Sequence, residues 1–245
     1  MDILTDLANE PISTGHAVSD AAMRRLGIEI VTGKFQPGHR LLPEIESAEA
    51  YGISRTAYRE AMRVLTAKGL LSSRQKLGTV VNPRSCWQML DPDILAWSFQ
   101  NSPSREFIYS LFELRLALEP MAASLAAQRR SAAQVKHLRE CVSTLSEHAV
   151  GSTKGRATKR TFHMAVFEAT QNEFLITLAE GIGAAAEWTT AVKTCFCRAS
   201  SDSIKDHRRL VDAIDQRSTE VARGAATTLL LLGQEETVHA LFGHI

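Results

Sequence analysis

The stretch Gly52-Ile53-Ser54-Arg55-Thr56-Ala57-Tyr58-Arg59-Glu60-Ala61-Met62-Arg63-Val64-Leu65 leaves few folds open to this chain. Gly52 tolerates the left-handed backbone that ends one helix, and Ser54 can cap the next by accepting a hydrogen bond from an orphan amide. Ile53 and Tyr58 fall at the two positions that clip together across a helix start. From Ser54 onward the helical period places Ala57, Tyr58, Ala61, Met62, Val64 and Leu65 on one face. Arg55, Thr56, Arg59 and Arg63 fall on the other. The apolar face requires a core to rest on. The arginine face requires water or an anion.

The flanking residues favour the anion. Upstream, Ala22, Leu26 and Ile30 mark an amphipathic helix that ends near Gly33, and Pro43 to Tyr51 can form a second, with Pro43 in its first turn. Downstream, Leu70 to Arg74 and Thr79 to Val81 read as short strands around the turn Gln75-Lys76-Leu77-Gly78. Three helices followed by a hairpin is the winged helix-turn-helix plan. Between Ile53 and Arg84 the basic residues are Arg55, Arg59, Arg63, Lys68, Arg74, Lys76 and Arg84, against Glu60 as the only acid. The whole chain carries a net charge of only +1, so this is a local basic patch, the footprint of a phosphate-binding surface.

With Pro37-Gly38-His39-Arg40-Leu41, the helix above, Gly69-Leu70-Leu71 and Gly78-Thr79 in this order, residues 16–83 resemble the amino-terminal domain of the GntR family of bacterial transcription regulators. The resemblance implies that Arg55 and Arg59 contact base edges or nearby phosphates, with Arg63 adding charge to the same face. It also implies that Ser54 and Thr56 hold phosphate oxygens, and that the hairpin tip (Lys76, Gly78 and the adjoining Thr79) probes the minor groove. Many members carry an arginine where this chain has Ile45, so one familiar base contact is missing and the operator sequence does not transfer.

The remaining residues, about two thirds of the 245, are enough for a second domain, and 44% hydrophobic content supports a sizeable core. No apolar run reaches membrane-spanning length, since Ala225 to Gly233 is short and interrupted by threonine. Met1-Asp2-Ile3-Leu4-Thr5-Asp6 lacks the basic-then-apolar order of a signal peptide. Cys86, Cys141, Cys195 and Cys197 form no disulfide framework, so reduced thiols and a cytoplasmic location are expected.

From Asp91 on, the pattern is helical throughout. The expected helices run from Pro92 to Gln100, from a cap at Ser104 past Pro120 to Arg129, from Ser131 to His148, and from Arg156 to Thr170. Others follow from Glu173 to Arg198, Ser203 to Gln216 and Thr219 to Phe242, with 150–155 as a loop. The short connections predict an antiparallel all-α bundle over 105–242, joined to the first domain by a linker and connecting helix over 84–104. The chain is therefore expected to be mainly α. Within the bundle the candidate binding residues are Arg115, Lys159, His163 and His207. Lys159 and His163 are four apart and share a helical face. Each also has an ordinary reading: Arg115 can pair with Glu119, Lys159 can lie on the surface, and His207 can be a solvated helix-end residue.

Glu113-Leu114-Arg115-Leu116-Ala117-Leu118-Glu119-Pro120, Phe162-His163, Gln171-Asn172 and His207-Arg208-Arg209-Leu210 resemble the effector-binding bundle of the FadR subfamily, the FCD domain. The segment Trp87 to Trp97 is similar to that of its sugar-acid-responsive members. Many such bundles hold a divalent metal through an Asp and three His. By that resemblance His163 and His207 match two ligand positions, while Lys159 and Leu229 replace the Asp and the third His. A cation in place of a carboxylate opposes a metal, so no metal is favoured. The expected ligand is instead a small carboxylate such as a sugar acid, held by Arg115 and Lys159 with the histidines on its hydroxyls. The resemblance further implies a homodimer on a double-stranded DNA operator, a repressor released by its effector rather than an enzyme. A metal-dependent sensor of another organic acid and a fatty-acyl-CoA sensor are the nearer alternatives. A helical enzyme using His163 and His207 as acid and base is the remote one.

Overall fold

The computed structural model describes residues 17–75, 77–196 and 202–243. Lys76 and Cys197 lie outside them. The chain divides into two compact units, one up to Asn101 and one from Ser102 onward.

The first unit begins with α1 (Ala17–Val31), α2 (Glu44–Tyr51) and α3 (Arg55–Ala67), followed by β1 (Leu71–Arg74) and β2 (Gly78–Val81). Gly52 ends α2 at φ 66°, and Ile53 N–H closes the turn onto the Ala48 carbonyl. Ser54 then caps α3 by accepting from the Ala57 amide. Pro43 stands just outside α2, at φ −52° and ψ 152°, so the helix starts one residue later than the sequence pattern suggests. The strands pair antiparallel with Leu71 opposite Val81 and Arg74 opposite Gly78. The segment 38–41 adds a third rung, through Gly38 N–H to the Val81 carbonyl and Leu41 N–H to the Thr79 carbonyl. Leu26 and Ile30 of α1, Leu65 of α3, and Leu71 and Val81 of the hairpin bury together as one core.

The helix expected as a connector, α4 (Pro92–Gln100), packs into this same core through Ile94 and Trp97. Gly27 makes that possible. A Cβ there would fall 2.4 Å from Trp97 Cζ3, so only a glycine lets the indole lie on α1. Lys68 fixes the other end of the connection, with Nζ 2.7 Å from Asp91 and 2.8 Å from Asp93 at the start of α4. Most of the segment 84–104 thus belongs to the first unit.

Among its described residues the second unit forms helices only: α5 (Arg105–Arg129), α6 (Ala132–Glu147), α7 (Thr153–Glu168), the short α8 (Glu173–Ile176), α9 (Ala179–Phe196), α10 (Asp202–Asp215) and α11 (Thr219–Phe242). Serine caps recur, with Ser104, Ser131 and Ser152 each accepting an amide of the first turn. The single helix expected from Glu173 to Arg198 is broken after Ile176. The Thr177 hydroxyl bonds back to the Phe174 carbonyl there, in competition with the helical pattern. Helix α7 starts three residues earlier than expected because Ser152, within the anticipated loop, is its cap. Alanines 122, 123, 126 and 127 let α5 pack closely against larger side chains such as Phe162, Phe167, Leu210 and Ile214.

Candidate functional site

On α3 the two faces separate as the period requires. Tyr58, Ala61 and Leu65 are buried, while Arg55, Thr56, Arg59 and Arg63 are exposed. The guanidinium groups are not independent of their surroundings. Glu44, at the start of α2, reaches Arg59 Nη2 at 2.9 Å and Arg55 Nε at 3.3 Å, and Glu60 holds Arg63 at 2.7 Å. The bond from Arg59 and burial act against each other on Glu44, and the arginine prevails, holding its carboxyl below the ordinary range. Glu44 lies outside the charge window that marks the basic patch, and sequence spacing gives no sign that it sits beside Arg59. Gly78 takes φ 77° at the hairpin tip, and Thr79 is half-buried behind it. The basic face is narrower than the sequence suggests. Lys68 is tied to Asp91 and Asp93, and the Arg84 guanidinium stacks 5.0 Å over Trp87.

Arg115, Lys159 and His163 line one cavity of about 200 Å³ inside the bundle, together with Phe112, Thr189, Thr190, Lys193, Asp206, Leu229 and Glu236. Phe112, Arg115 and Glu119 are spaced by three and four residues, so they share one face of α5. Lys159 and His163 do the same on α7, and the Phe162 ring lies edge-on to both His163 and His207. Although charged or polar, Arg115, Glu119, Lys159, His163 and His207 are all buried. Such burial is costly unless each group is partnered.

The partners form two short chains. Arg115 Nε donates to Glu119 Oε1 at 2.6 Å, and Arg115 Nη1 donates to the Thr189 hydroxyl at 3.3 Å. The other Glu119 oxygen lies 2.6 Å from His163 Nδ1. Burial would raise the Glu119 carboxyl, but Arg115 and His163 outweigh it and bring the group down to about 2. An ionised carboxylate only accepts, so Nδ1 carries the imidazole proton. Burial pushes His163 below its ordinary value, which leaves it a neutral donor to Glu119.

The second chain joins Lys159 Nζ to His207 Nε2 at 2.9 Å. Burial first, then the charges of Lys193 and Arg115, push Lys159 well below the ordinary lysine value, against the weaker pull of Glu236 and Glu119. At the same cavity, Lys193 pairs with Glu236 at 2.9 Å. Glu119 was foreseen only as a partner of Arg115. Thr189, Lys193 and Glu236 carried no local signal, because only the packing of α9 and α11 brings them to this cavity.

This donor set does not suit a divalent metal. Lys159 and Leu229 line the same cavity as His163. The first brings a basic amine within 2.9 Å of His207 Nε2, and the second offers no donor atom. Among the described residues no three His, Cys, Asp or Glu side chains are grouped as ligands. Nor, among those residues, is any helix long and apolar enough to cross a membrane.

An arginine-faced, serine-capped helix in a winged unit, followed by a helical bundle around a charged cavity, defines a ligand-responsive DNA-binding protein. Residues 18–81 match the gntR family of bacterial regulatory proteins, and residues 110–231 match the FCD domain. The chain is 31% identical over 229 residues to the uncharacterised regulator YieP of Escherichia coli, covering 91% of this chain and 97% of that one. It is 28% identical to the galactonate operon transcriptional repressor of the same organism, over 86% of this chain and 93% of that one. Its fold is similar to that of Lar, described as controlling the Listeria monocytogenes agr system, with a TM-score of 0.67 at 15% identity over 94% of this chain and 99% of that one. The chain belongs to the GntR family and carries an FCD domain. It is a DNA-binding transcription regulator, not an enzyme.

Proposed function

We propose that the protein is a repressor that binds its operator as a homodimer and is released by a small carboxylate, a sugar acid such as an aldonate, taken up in the bundle cavity. The observation that carries this reading is the convergence of Arg115, Lys159 and Lys193 on a cavity of about 200 Å³. That volume suits a compact polar molecule and is too small for a long acyl chain. Arg115 pairs with Glu119, and Lys193 pairs with Glu236. An incoming carboxylate would be balanced by Lys159 taking up a proton, and by Arg115 N–H groups beyond those that bind Glu119 and Thr189. The Thr189 and Thr190 hydroxyls and His163, which line the cavity, are suited to the hydroxyls of a sugar acid, while His207 stands behind Lys159. The name of one similar protein agrees with this class, since it represses a galactonate operon.

No resident metal is part of this reading, because Lys159 occupies the place of a metal-binding carboxylate. Effector binding changes DNA affinity only if the DNA-bound and released arrangements of the dimer take up effector with different affinities. A thermal-shift screen of sugar acids and dicarboxylates, with and without chelator, tests ligand class and metal dependence together. Calorimetry on Lys159→Met should then show a loss of affinity of about 10- to 100-fold for the best acid, the size expected for one charge-assisted contact. Unchanged affinity would remove Lys159 from the site, and stoichiometric metal in the purified protein would remove the metal-free reading.

A further inference from the structure

We propose that the effector carries a ketone or aldehyde beside its carboxylate, as a 2-oxo acid does, and that Lys159 captures it as a reversible imine while Arg115 holds the carboxylate. The inference rests on the reading that this cavity is the effector site, and within the sugar-acid class it replaces the aldonate by an acid that also bears a carbonyl.

Three features of the cavity point to carbonyl capture. The first is the setting of the amine. Lys159 sits in a buried pocket beside the cations Arg115 and Lys193, which is how a lysine is made nucleophilic near neutral pH. Lys193 faces a carboxylate at 2.9 Å, an arrangement that favours its charged form. The second feature is a base within reach, since His207 Nε2 lies 2.9 Å from Lys159 Nζ. The third is the anion anchor. Glu119 and Thr189 bind Arg115 through Nε and Nη1, which fixes the guanidinium against the cavity wall with further N–H groups able to bind a carboxylate. A carboxylate on Arg115 and an electrophilic carbon at Lys159 are the two contacts that a 2-oxo acid makes and a simple aldonate does not.

The chemistry balances without any further reagent. The Lys159 lone pair attacks the carbonyl carbon, and the C–O π electrons move to oxygen, which takes a proton. The resulting carbinolamine nitrogen gives up a proton, with His207 placed to receive it. The hydroxyl is then protonated and leaves as water, and the nitrogen lone pair forms the C=N bond. Nothing is oxidised or reduced, and hydrolysis of the imine reverses the capture. The iminium form also supplies the positive charge that balances the ligand carboxylate.

The test is reductive trapping on the full-length protein. Pyruvate and 2-ketogluconate are the carbonyl-bearing probes, gluconate is the control without a carbonyl, and sodium cyanoborohydride is the trapping agent. Intact mass and peptide mapping should show one adduct, the mass of the probe less one oxygen atom, concentrated at Lys159. Gluconate should give none, and Lys159→Met should lose the adduct. Should that variant fail to fold, the wild-type peptide map decides alone. Absence of an adduct at Lys159 with both carbonyl probes, or labelling no stronger there than at surface lysines, overturns the proposal. Thermal shifts on the same samples separate the two readings. Stabilisation by these acids without trapping defeats only the imine, whereas no stabilisation by any carboxylate defeats the effector site itself.

Discussion

Glu119 on α5 and His163 on α7 meet through Oε2 and Nδ1 at 2.6 Å, inside the bundle and beside the Arg115 guanidinium. The carboxylate is shared between a cation and a neutral imidazole, so it orients both toward the cavity.

Removing that carboxylate should cost stability in a pH-dependent way. Glu119 stands at about 2 against an ordinary 4.5, so its contribution is present above about 4.5 and is lost as pH falls toward 2. The full shift corresponds to about 3 kcal/mol, an order-of-magnitude figure. Glu119→Gln should therefore lower the urea midpoint at pH 7, and the difference from the parent chain should shrink on acidification. Equal losses at pH 7 and pH 3.5 would show that the carboxylate charge is not what matters.

Carboxylate binding should be accompanied by proton uptake. Lys159 is held well below its usual value by burial, Lys193 and Arg115, and an anion beside it moves it back up. Above the lysine's value in the free protein, affinity should fall as pH rises. Among the described residues, the groups around this lysine include Arg115 and Glu119 on α5, His163 on α7, Lys193 on α9, Asp206 and His207 on α10, and Glu236 on α11. Calorimetry in buffers of different ionisation enthalpy would read the proton count, and Lys159→Met should abolish most of it. A count near zero in the parent chain would mean the lysine keeps one protonation state throughout.

On the DNA-binding face, Arg59→Ala should weaken operator binding by about 1–3 kcal/mol if the guanidinium reads a base. If it contacts phosphate, the loss should be uniform across sequences, with the salt slope reduced by about one. Glu44→Gln should act in the opposite direction on random-sequence duplex. A carboxylate that pairs with Arg55 and Arg59 also repels phosphate, so its removal should tighten non-specific binding and narrow the margin for the operator. Fluorescence anisotropy over a salt series would measure both variants. Weaker non-specific binding by Glu44→Gln would make Glu44 a support for the arginines and not a brake on them.

Gly27→Ala reverses a familiar rule. At an exposed helix position the change stabilises by about 1 kcal/mol. Here the new methyl would fall 2.4 Å from the Trp97 ring, so overpacking should destabilise the first unit by about 1–3 kcal/mol. Indole fluorescence during denaturant unfolding would report it. A stabilised variant would mean that Trp97 does not lie on α1.

The cap at Ser54, the turn at Gly52 and the arginine face were legible in the sequence because they are local, set by neighbours within one or two turns. The same holds for Asp91 and Ser104 as helix starts. What escaped was non-local. Glu44 precedes Arg59 by fifteen residues, and only the angle between α2 and α3 brings them together. The cavity was half legible: Arg115, Lys159 and His163 lie on patterned helical faces, but Lys193 and Glu236 reach it only through packing. The protonation state of Lys159 was illegible for the same reason, since it depends on burial and on charges from other helices. Lys68 misled, because a basic residue after a basic helix counts toward a patch until Asp91 and Asp93 are seen to hold it.

The seating of Trp97 over Gly27 has a practical consequence for dissecting this protein. A fragment ended at residue 83, where the hairpin closes, would lose Trp87, Ile94 and Trp97 from the core it shares with Leu26 and Leu65. It would also leave Lys68 without Asp91 and Asp93. The smallest free-standing DNA reader that this chain can yield therefore runs to Asn101, and protease trimming should converge on that edge.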